Sequence, residues 1–214
     1  QLNSGIGYYI NKVSQEVMDE LSDPINKLKS NFTQGVNYNK GLAGEIEHEY
    51  LIDLTPKFRE HVKNTYMEIE NHSNYMAKTY NPNSVGGGNS IANIKVGTEQ
   101  LWVNFQQKYE YNPPHVHNGI YSFVLWYQVP YENSNEKKYS HKDNKSQNTY
   151  HGNFFFNYPD FHGSNLVVKD VKLDVDKSKE GYFVIFPSYV YHQVFPFYSS
   201  DDYRITVAGN INFI

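Results

Sequence analysis

Near residue 95 the hydrophobic pattern of this 214-residue chain changes period, and that change restricts the fold more than any other feature. Before it, apolar positions recur every three or four residues. Val13, Val17, Leu21, Ile25 and Leu28 form one such stripe, the signature of a helix with a single buried face. Asp23-Pro24 falls inside the stripe, where Pro removes a backbone donor, so a kink or two short helices are expected there. A second helix is expected to open with Thr55 as N-cap and Pro56 at the first helical position, with Glu60 close behind. Phe58, Val62, Tyr66, Ile69 and Met76 mark its stripe, and Asn81-Pro82-Asn83 with Gly86-Gly87-Gly88 place a loop over 81–92.

Beyond residue 95 short β-rich runs follow one another: Glu99–Tyr109, Tyr121–Val129, Gly152–Asn157, Asn165–Val175, Tyr182–Phe186, Tyr191–Phe195 and Tyr203–Phe213. Many short strands at this spacing predict a sandwich or barrel of the jelly-roll kind. The 20 Tyr and 13 Phe suit strand-rich packing. Between strands, Tyr131–Tyr150 is too hydrophilic to pack and reads as a long loop, either disordered or a lid. The expected fold class is α+β: a helical N-terminal region over 1–92 packs on a β core over 93–214, fused as one unit.

Composition then narrows the chemistry. The chain has no Cys, which excludes disulfides, thiolate zinc sites, iron–sulfur clusters and a Cys nucleophile. Any metal must be held by His and carboxylates. Lys plus Arg is 19 and Asp plus Glu 23, so the net charge of −4 argues against nucleic acid as a partner. No run of 18 apolar residues and no basic stretch leading a short apolar one is present, so neither a membrane partner nor secretion is expected, and the expected location is cytoplasmic.

Nine His are present, and three fall at strand mouths. His48 and His162 give no signal, while His61, His72, His141 and His151 read as solvated surface residues. In Asn112-Pro113-Pro114-His115-Val116-His117 the two His are two apart in an extended segment, so both project to one side and can converge on one ion. His192 opens a strand inside an apolar run, where an imidazole is costly unless its nitrogens are occupied, by a metal or by core hydrogen bonds. Arg is rare, only Arg59 and Arg204 against 17 Lys. Arg204 lies in an apolar strand and needs an anionic partner, with Thr206 on the same face able to add a hydroxyl to the same anion. The ordinary alternative is a salt bridge to Asp201 or Asp202. Asn104 and Gln106 alternate on the strand before the His pair, as a pocket wall or as polar positions on a half-exposed strand.

Together, the His-x-His pair, Gly181-x5-Pro187-x4-His192 and Arg204 resemble the iron(II)- and 2-oxoglutarate-dependent oxygenases. Within that superfamily, PPHVHNGIYSFVLWYQVP and FPSYVYHQVFPF…YRITVAGNINF are similar to a group from marine bacteria and their phages, and YNKGLAGEIEHEYLI is similar to its phage members. The matching motifs cover roughly residues 99–130 and 181–213. The resemblance implies a double-stranded β-helix with iron(II) at its open end, 2-oxoglutarate as cosubstrate and dioxygen as oxidant. The superfamily pattern is His, then Asp or Glu two residues on, then a distal His. His115 and His192 take the outer places, and His117 stands where the carboxylate is usual. Either the dianionic cosubstrate offsets more of the metal's charge, or His117 is not a ligand and water or a carboxylate such as Glu110 fills the place. The same resemblance gives Arg204, assisted by Thr206, the distal carboxylate of 2-oxoglutarate, and places Tyr127 against the cosubstrate. It implies no catalytic residue beyond the metal ligands.

The expected activity is hydroxylation of a small-molecule or peptide substrate, such as a protein prolyl side chain, with release of succinate and carbon dioxide. The loop at 131–150 is expected to close over that substrate, in the host cytoplasm if the gene is a phage's. Two rivals remain at this level. A cupin-type three-His metal enzyme or metal-binding module fits the Gly-Pro-His spacing, yet Ile120 and Tyr121 occupy the region of the cupin Glu and Arg204 has no task. A non-catalytic jelly-roll binding module of a phage would need none of His115, His192 and Arg204.

Overall fold

The alternation along the C-terminal half becomes two facing sheets, and one of them carries helices on its far side. The computed structural model describes residues 2–3, 7–41, 43–80, 94–96, 100–139, 150–162 and 165–213. In chain order the elements are β1 (Leu2–Asn3), β2 (Tyr8–Lys12), α1 (Gln15–Ser30), β3 (Val36–Asn37), β4 (Glu49–Asp53), α2 (Pro56–Tyr80), β5 (Ile94–Val96), β6 (Gln100–Gln106), β7 (Asn112–His115) and β8 (Tyr121–Gln128). They continue as α3 (Asn133–Glu136), β9 (Phe154–His162), β10 (Asn165–Leu173), β11 (Tyr182–Pro187), β12 (Tyr191–Val194) and β13 (Arg204–Phe213). The large sheet has the order β1-β2-β11-β8-β13-β6-β4-β3, with β5 also pairing β13, and the small one β10-β9-β12-β7. This is the jelly-roll arrangement the strand spacing predicts.

Strand parity divides the large sheet into two working faces. Phe123 and Leu125 of β8, Phe183 and Ile185 of β11 and Ile205 and Val207 of β13 point to the helices. There they meet Leu21 and Ile25 of α1 and Phe58 and Val62 of α2 in one buried cluster. Trp126, Val184 and Phe186 point the other way, against Phe154 and Phe156 of the small sheet, in a second cluster. The space between the sheets is where the polar residues of β6 and β13 gather.

Several expectations change on meeting the structure. The α1 helix runs unbroken through Pro24, because the flanking Leu21 and Ile25 are fully buried and hold the turn despite the missing donor. Pro56 does start α2, but the Thr55 hydroxyl is buried without a partner. Glu20 of α1 caps the helix instead, accepting from the Lys57 N–H at 2.9 Å. The N-terminal region is not only helical: β2 pairs with β11 and β4 pairs with β6, so both extend the large sheet. The loop at 81–92 and residues 140–149 lie outside the described residues, as do the side chains of Met76 and His162.

The first part of the expected polar loop is packed. Tyr131 is buried and stacks on Phe197 at 4.8 Å between ring centroids. Glu136 is fully buried, its carboxylate accepting the N–H groups of Tyr198 and Ser199 at 2.9 Å each. Polarity alone misreads such a segment, since a carboxylate that accepts two backbone N–H groups is satisfied inside the protein.

Phe58 joins α2 to the sheet, its ring edge-on to Phe123 at 5.8 Å and to Phe183 at 5.9 Å. Phe58→Ala is expected to cost about 3–5 kcal/mol. Urea unfolding should show a lower midpoint with an unchanged slope.

Candidate metal centre

Strand register brings the histidines together. On the antiparallel pair β7–β12, His192 lies directly opposite His115. The stretch that carries His117 is fixed by the turn after β11, where the His117 N–H donates to the Ser188 carbonyl at 2.9 Å. Ring centroids are 4.2 Å apart for His115 and His192, 4.9 Å for His115 and His117, and 5.1 Å for His117 and His192. One ring nitrogen from each lies within 4.8 Å of the others.

Hydrogen bonding orients two of the rings. Nδ1 of His115 faces the Pro113 carbonyl at 2.7 Å, and Nδ1 of His192 faces the Val190 carbonyl at 3.1 Å. A carbonyl only accepts, so each Nδ1 carries the hydrogen and Nε2 keeps its lone pair, which is how metal-binding imidazoles are usually held. Burial is the main force lowering the pKa of all three rings. His117 falls to about 4, His115 moves down, and His192 moves well below its ordinary value with further help from neighbouring His115. The three imidazoles are therefore neutral at physiological pH, the form that binds metal. Phe154 and Phe186 enclose His192, and Trp102 lies beside His117 at 5.6 Å. Three convergent, neutral imidazoles with two tautomers fixed fit a divalent transition-metal ion.

The same cluster opens into a cavity of about 300 Å³ between the sheets, whose far wall carries Arg204, Thr206, Asn104 and Gln106. Arg204 is 1 % exposed. Its Nε donates to Gln106 Oε1 at 3.1 Å; Nη2 donates to the same oxygen and also reaches the Phe195 carbonyl at 3.3 Å. Nη1 donates to the Tyr131 hydroxyl at 2.7 Å and to the Gly152 carbonyl at 2.6 Å. Every partner is neutral. The salt bridge offered by the sequence is absent, because Asp202 pairs with Lys29 at 3.0 Å and Asp201 with Lys108, both at the surface. Among the described residues no carboxylate meets this guanidinium, so its charge is open to an anion entering the cavity.

Gly152 is placed there by necessity. Its φ of +71° lies in the left-handed region, and a Cβ would come within 2.5 Å of the Tyr131 ring. The Tyr131 hydroxyl donates to the Gly152 carbonyl at 2.6 Å, and burial pushes the phenol pKa up, so it stays a neutral donor and acceptor.

Two expected residues do not join the site. Tyr127 packs on the helix side of the large sheet. It shares the strand parity of Phe123 and Leu125, so Trp126 and not Tyr127 faces the cavity. Glu110 is no ligand, since its carboxylate accepts the N–H of Glu47 at 3.0 Å and of Gln107 at 2.7 Å. Two residues that the sequence reading passed over stand at the cavity: Tyr131, which lies in a stretch read as loop and bonds Arg204, and Glu49. Glu49 lies opposite Asn104 on β4, is 2 % exposed and lines the cavity. Burial raises its pKa to about 7, with the Asn104 amide pulling the other way.

A family model described as "Putative 2OG-Fe(II) oxygenase" matches residues 100–210. A search of curated proteins finds no match. Among solved structures, a prolyl-4-hydroxylase from Pseudomonas putida is similar with a TM-score of 0.53 at 11 % identity, over 97 % of this chain and 92 % of that one. A prolyl hydroxylase from Trichoplax adhaerens, in complex with a hypoxia-inducible-factor peptide fragment, gives 0.54 at 13 % identity, over 98 % of this chain and 84 % of that one. At these identities the two structures establish the shared fold.

The raised Glu49 pKa has a signed consequence. Its folded value of about 7 exceeds the ordinary 4.5, so the folded state holds the proton more tightly. The resulting stabilisation is complete below pH 4.5 and is lost as pH rises through 7. In the metal-free protein, the stability of Glu49→Gln relative to wild type should therefore rise between pH 4 and pH 8, by roughly 3 kcal/mol. Urea titrations at both pH values measure the difference, and a pH-independent difference would contradict it.

Proposed function

This chain belongs to the 2OG-Fe(II) oxygenase family, and from that premise we propose that His115, His117 and His192 hold iron(II) while Arg204 and Thr206 receive 2-oxoglutarate. The protein is a 2-oxoglutarate-dependent dioxygenase. The observation that carries the residue assignment is a guanidinium without an acid partner at one end of a cavity and three neutral imidazoles at the other. A three-His metal module alone would not explain Arg204.

When bound, iron(II) and 2-oxoglutarate would supply, with dioxygen as oxidant, an oxidative decarboxylation that places one oxygen atom in succinate, releases carbon dioxide and places the other in a substrate C–H bond. The chain's own residues prepare that chemistry. The Pro113 and Val190 carbonyls fix the tautomers of His115 and His192, so their Nε2 lone pairs are ready without reorganisation. Tyr131 and Gly152 hold the Nη1 edge of Arg204, leaving the Nε–Nη2 edge to Gln106. That edge of Arg204 would hold the distal carboxylate of 2-oxoglutarate, an anion in place of the neutral Gln106 amide oxygen. Thr206, half-buried on the same strand face, adds a hydroxyl. Trp126, Phe154, Phe186 and Val194 keep the inner wall apolar and exclude water.

The substrate we propose is a peptide or protein side chain such as proline. Tyr38 and Val116 line the cavity while remaining 40 % and 43 % exposed, forming an apolar rim for a polypeptide. The likeness to prolyl hydroxylases, one of them holding a peptide fragment, supports the same reading.

Anaerobic titration of the iron(II)-loaded protein with 2-oxoglutarate should produce a weak visible charge-transfer band, and oxygen should then yield succinate. Arg204→Ala should weaken 2-oxoglutarate about 100-fold, the loss expected for a charge-assisted hydrogen-bonded pair of about 2–3 kcal/mol, while iron affinity holds. Gln106→Ala should leave 2-oxoglutarate affinity within a few-fold of wild type. No band and no succinate would overturn the assignment, and an Arg204→Ala protein with unchanged affinity would remove the role given to that residue.

A further inference from the structure

Glu49 is the sole acid among the described residues lining the cavity, and no Lys or Arg contributes to its environment. A carboxylate that is 2 % exposed with only an amide for company is costly unless a positive charge arrives. Its place in the sheet shows where that charge would come from. Glu49 lies opposite Asn104, which in turn lies opposite Thr206. On the same face of β6, one step from Asn104 towards the metal end is Trp102, beside His117. One step the other way is Gln106, which holds Arg204. Glu49 thus opens on the stretch of cavity between the imidazoles and the guanidinium, each about 7 Å of strand away from its row.

Charge counting gives that position a role. Iron(II) brings +2, Arg204 +1, 2-oxoglutarate −2, and the three imidazoles nothing. The loaded site would therefore carry one uncompensated positive charge beside a buried carboxylate, where charges interact more strongly than in bulk water. We propose that Glu49 supplies the balancing negative charge of the metal–cosubstrate pair, acting through space as a positioning residue and not as a ligand. The proposal rests on the ligand assignment above. It places at β4 the charge that a carboxylate in the His117 position would otherwise bring to the metal itself.

The test is a titration of the metal-free protein with cobalt(II) alone, followed by its visible spectrum, in wild type, Glu49→Gln, His117→Asp and the double variant. At pH 8, Glu49→Gln is isosteric and removes a buried charge, so its metal-free thermal midpoint there should not fall. Its cobalt(II) affinity should drop about tenfold, the lower end of what residues supporting a metal site contribute, with the shape of the spectrum unchanged. Adding His117→Asp to Glu49→Gln should recover most of that loss, because one negative charge then replaces the other. Equal affinity in wild type and Glu49→Gln, or no recovery in the double variant, overturns the proposal. A changed spectrum in Glu49→Gln overturns it too, by making Glu49 a ligand, and so does unaltered metal affinity with lost binding of an amine-bearing substrate, which would give Glu49 to the substrate. Wild type that binds no cobalt(II) removes the ligand assignment instead.

Discussion

A buried guanidinium surrounded by neutral oxygens is the constraint around which this structure is organised. Desolvating such a cation costs several kcal/mol, and the chain meets the cost by bringing distant segments to one point. Gln106 comes from β6, Tyr131 and Gly152 flank the stretch between β8 and β9, and the Phe195 carbonyl follows β12. Once these are assembled, β13 is fixed between β6 and β8, and the face carrying Arg204 and Thr206 is committed to the cavity. The imidazole end then follows from a separate strand pair, β7 with β12, whose register sets His115 against His192.

The large sheet does two jobs with its two faces. Toward the helices it buries Phe123, Leu125, Phe183 and Val207, which supplies most of the apolar stabilisation. Toward the small sheet it presents Ser122, Asn104, Gln106 and Arg204, which an isolated sheet could not bury without cost. The helical side secures the strands, so the cavity side can carry polar groups.

Much of this was legible in the residues, because parity and periodicity are local properties. The helical stripes, the His115–His117 pair and the shared face of Arg204 and Thr206 follow from spacing alone. What failed depended on long-range register. β2 and β4 are five residues each, too short for an alternation to stand out beside long helices. Tyr127 is an exception: it was placed by resemblance, and its parity with Phe123 and Leu125 puts it on the helix side. Tyr131 and Glu136 lie in a polar stretch whose burial depends on backbone groups some 60 residues onward, as in the Glu136 bonds to Tyr198 and Ser199. Glu49 shares its stretch with Glu45 and Glu47, and only tertiary pairing with Asn104 sets it apart.

Gly152 shows how unevenly this site can accept change. Its left-handed backbone and its contact with the Tyr131 ring close that position to any side chain, and its carbonyl ties Tyr131 to Arg204. The anion end of the cavity is thereby locked as a unit, in which altering one of three residues disturbs the other two. The imidazole end has no such lock: its His side chains are oriented by backbone carbonyls of their own segments, which survive a side-chain replacement. Divergence in a lineage of such proteins would accordingly be channelled toward the imidazole cluster, with the cradle around Arg204 inherited unchanged.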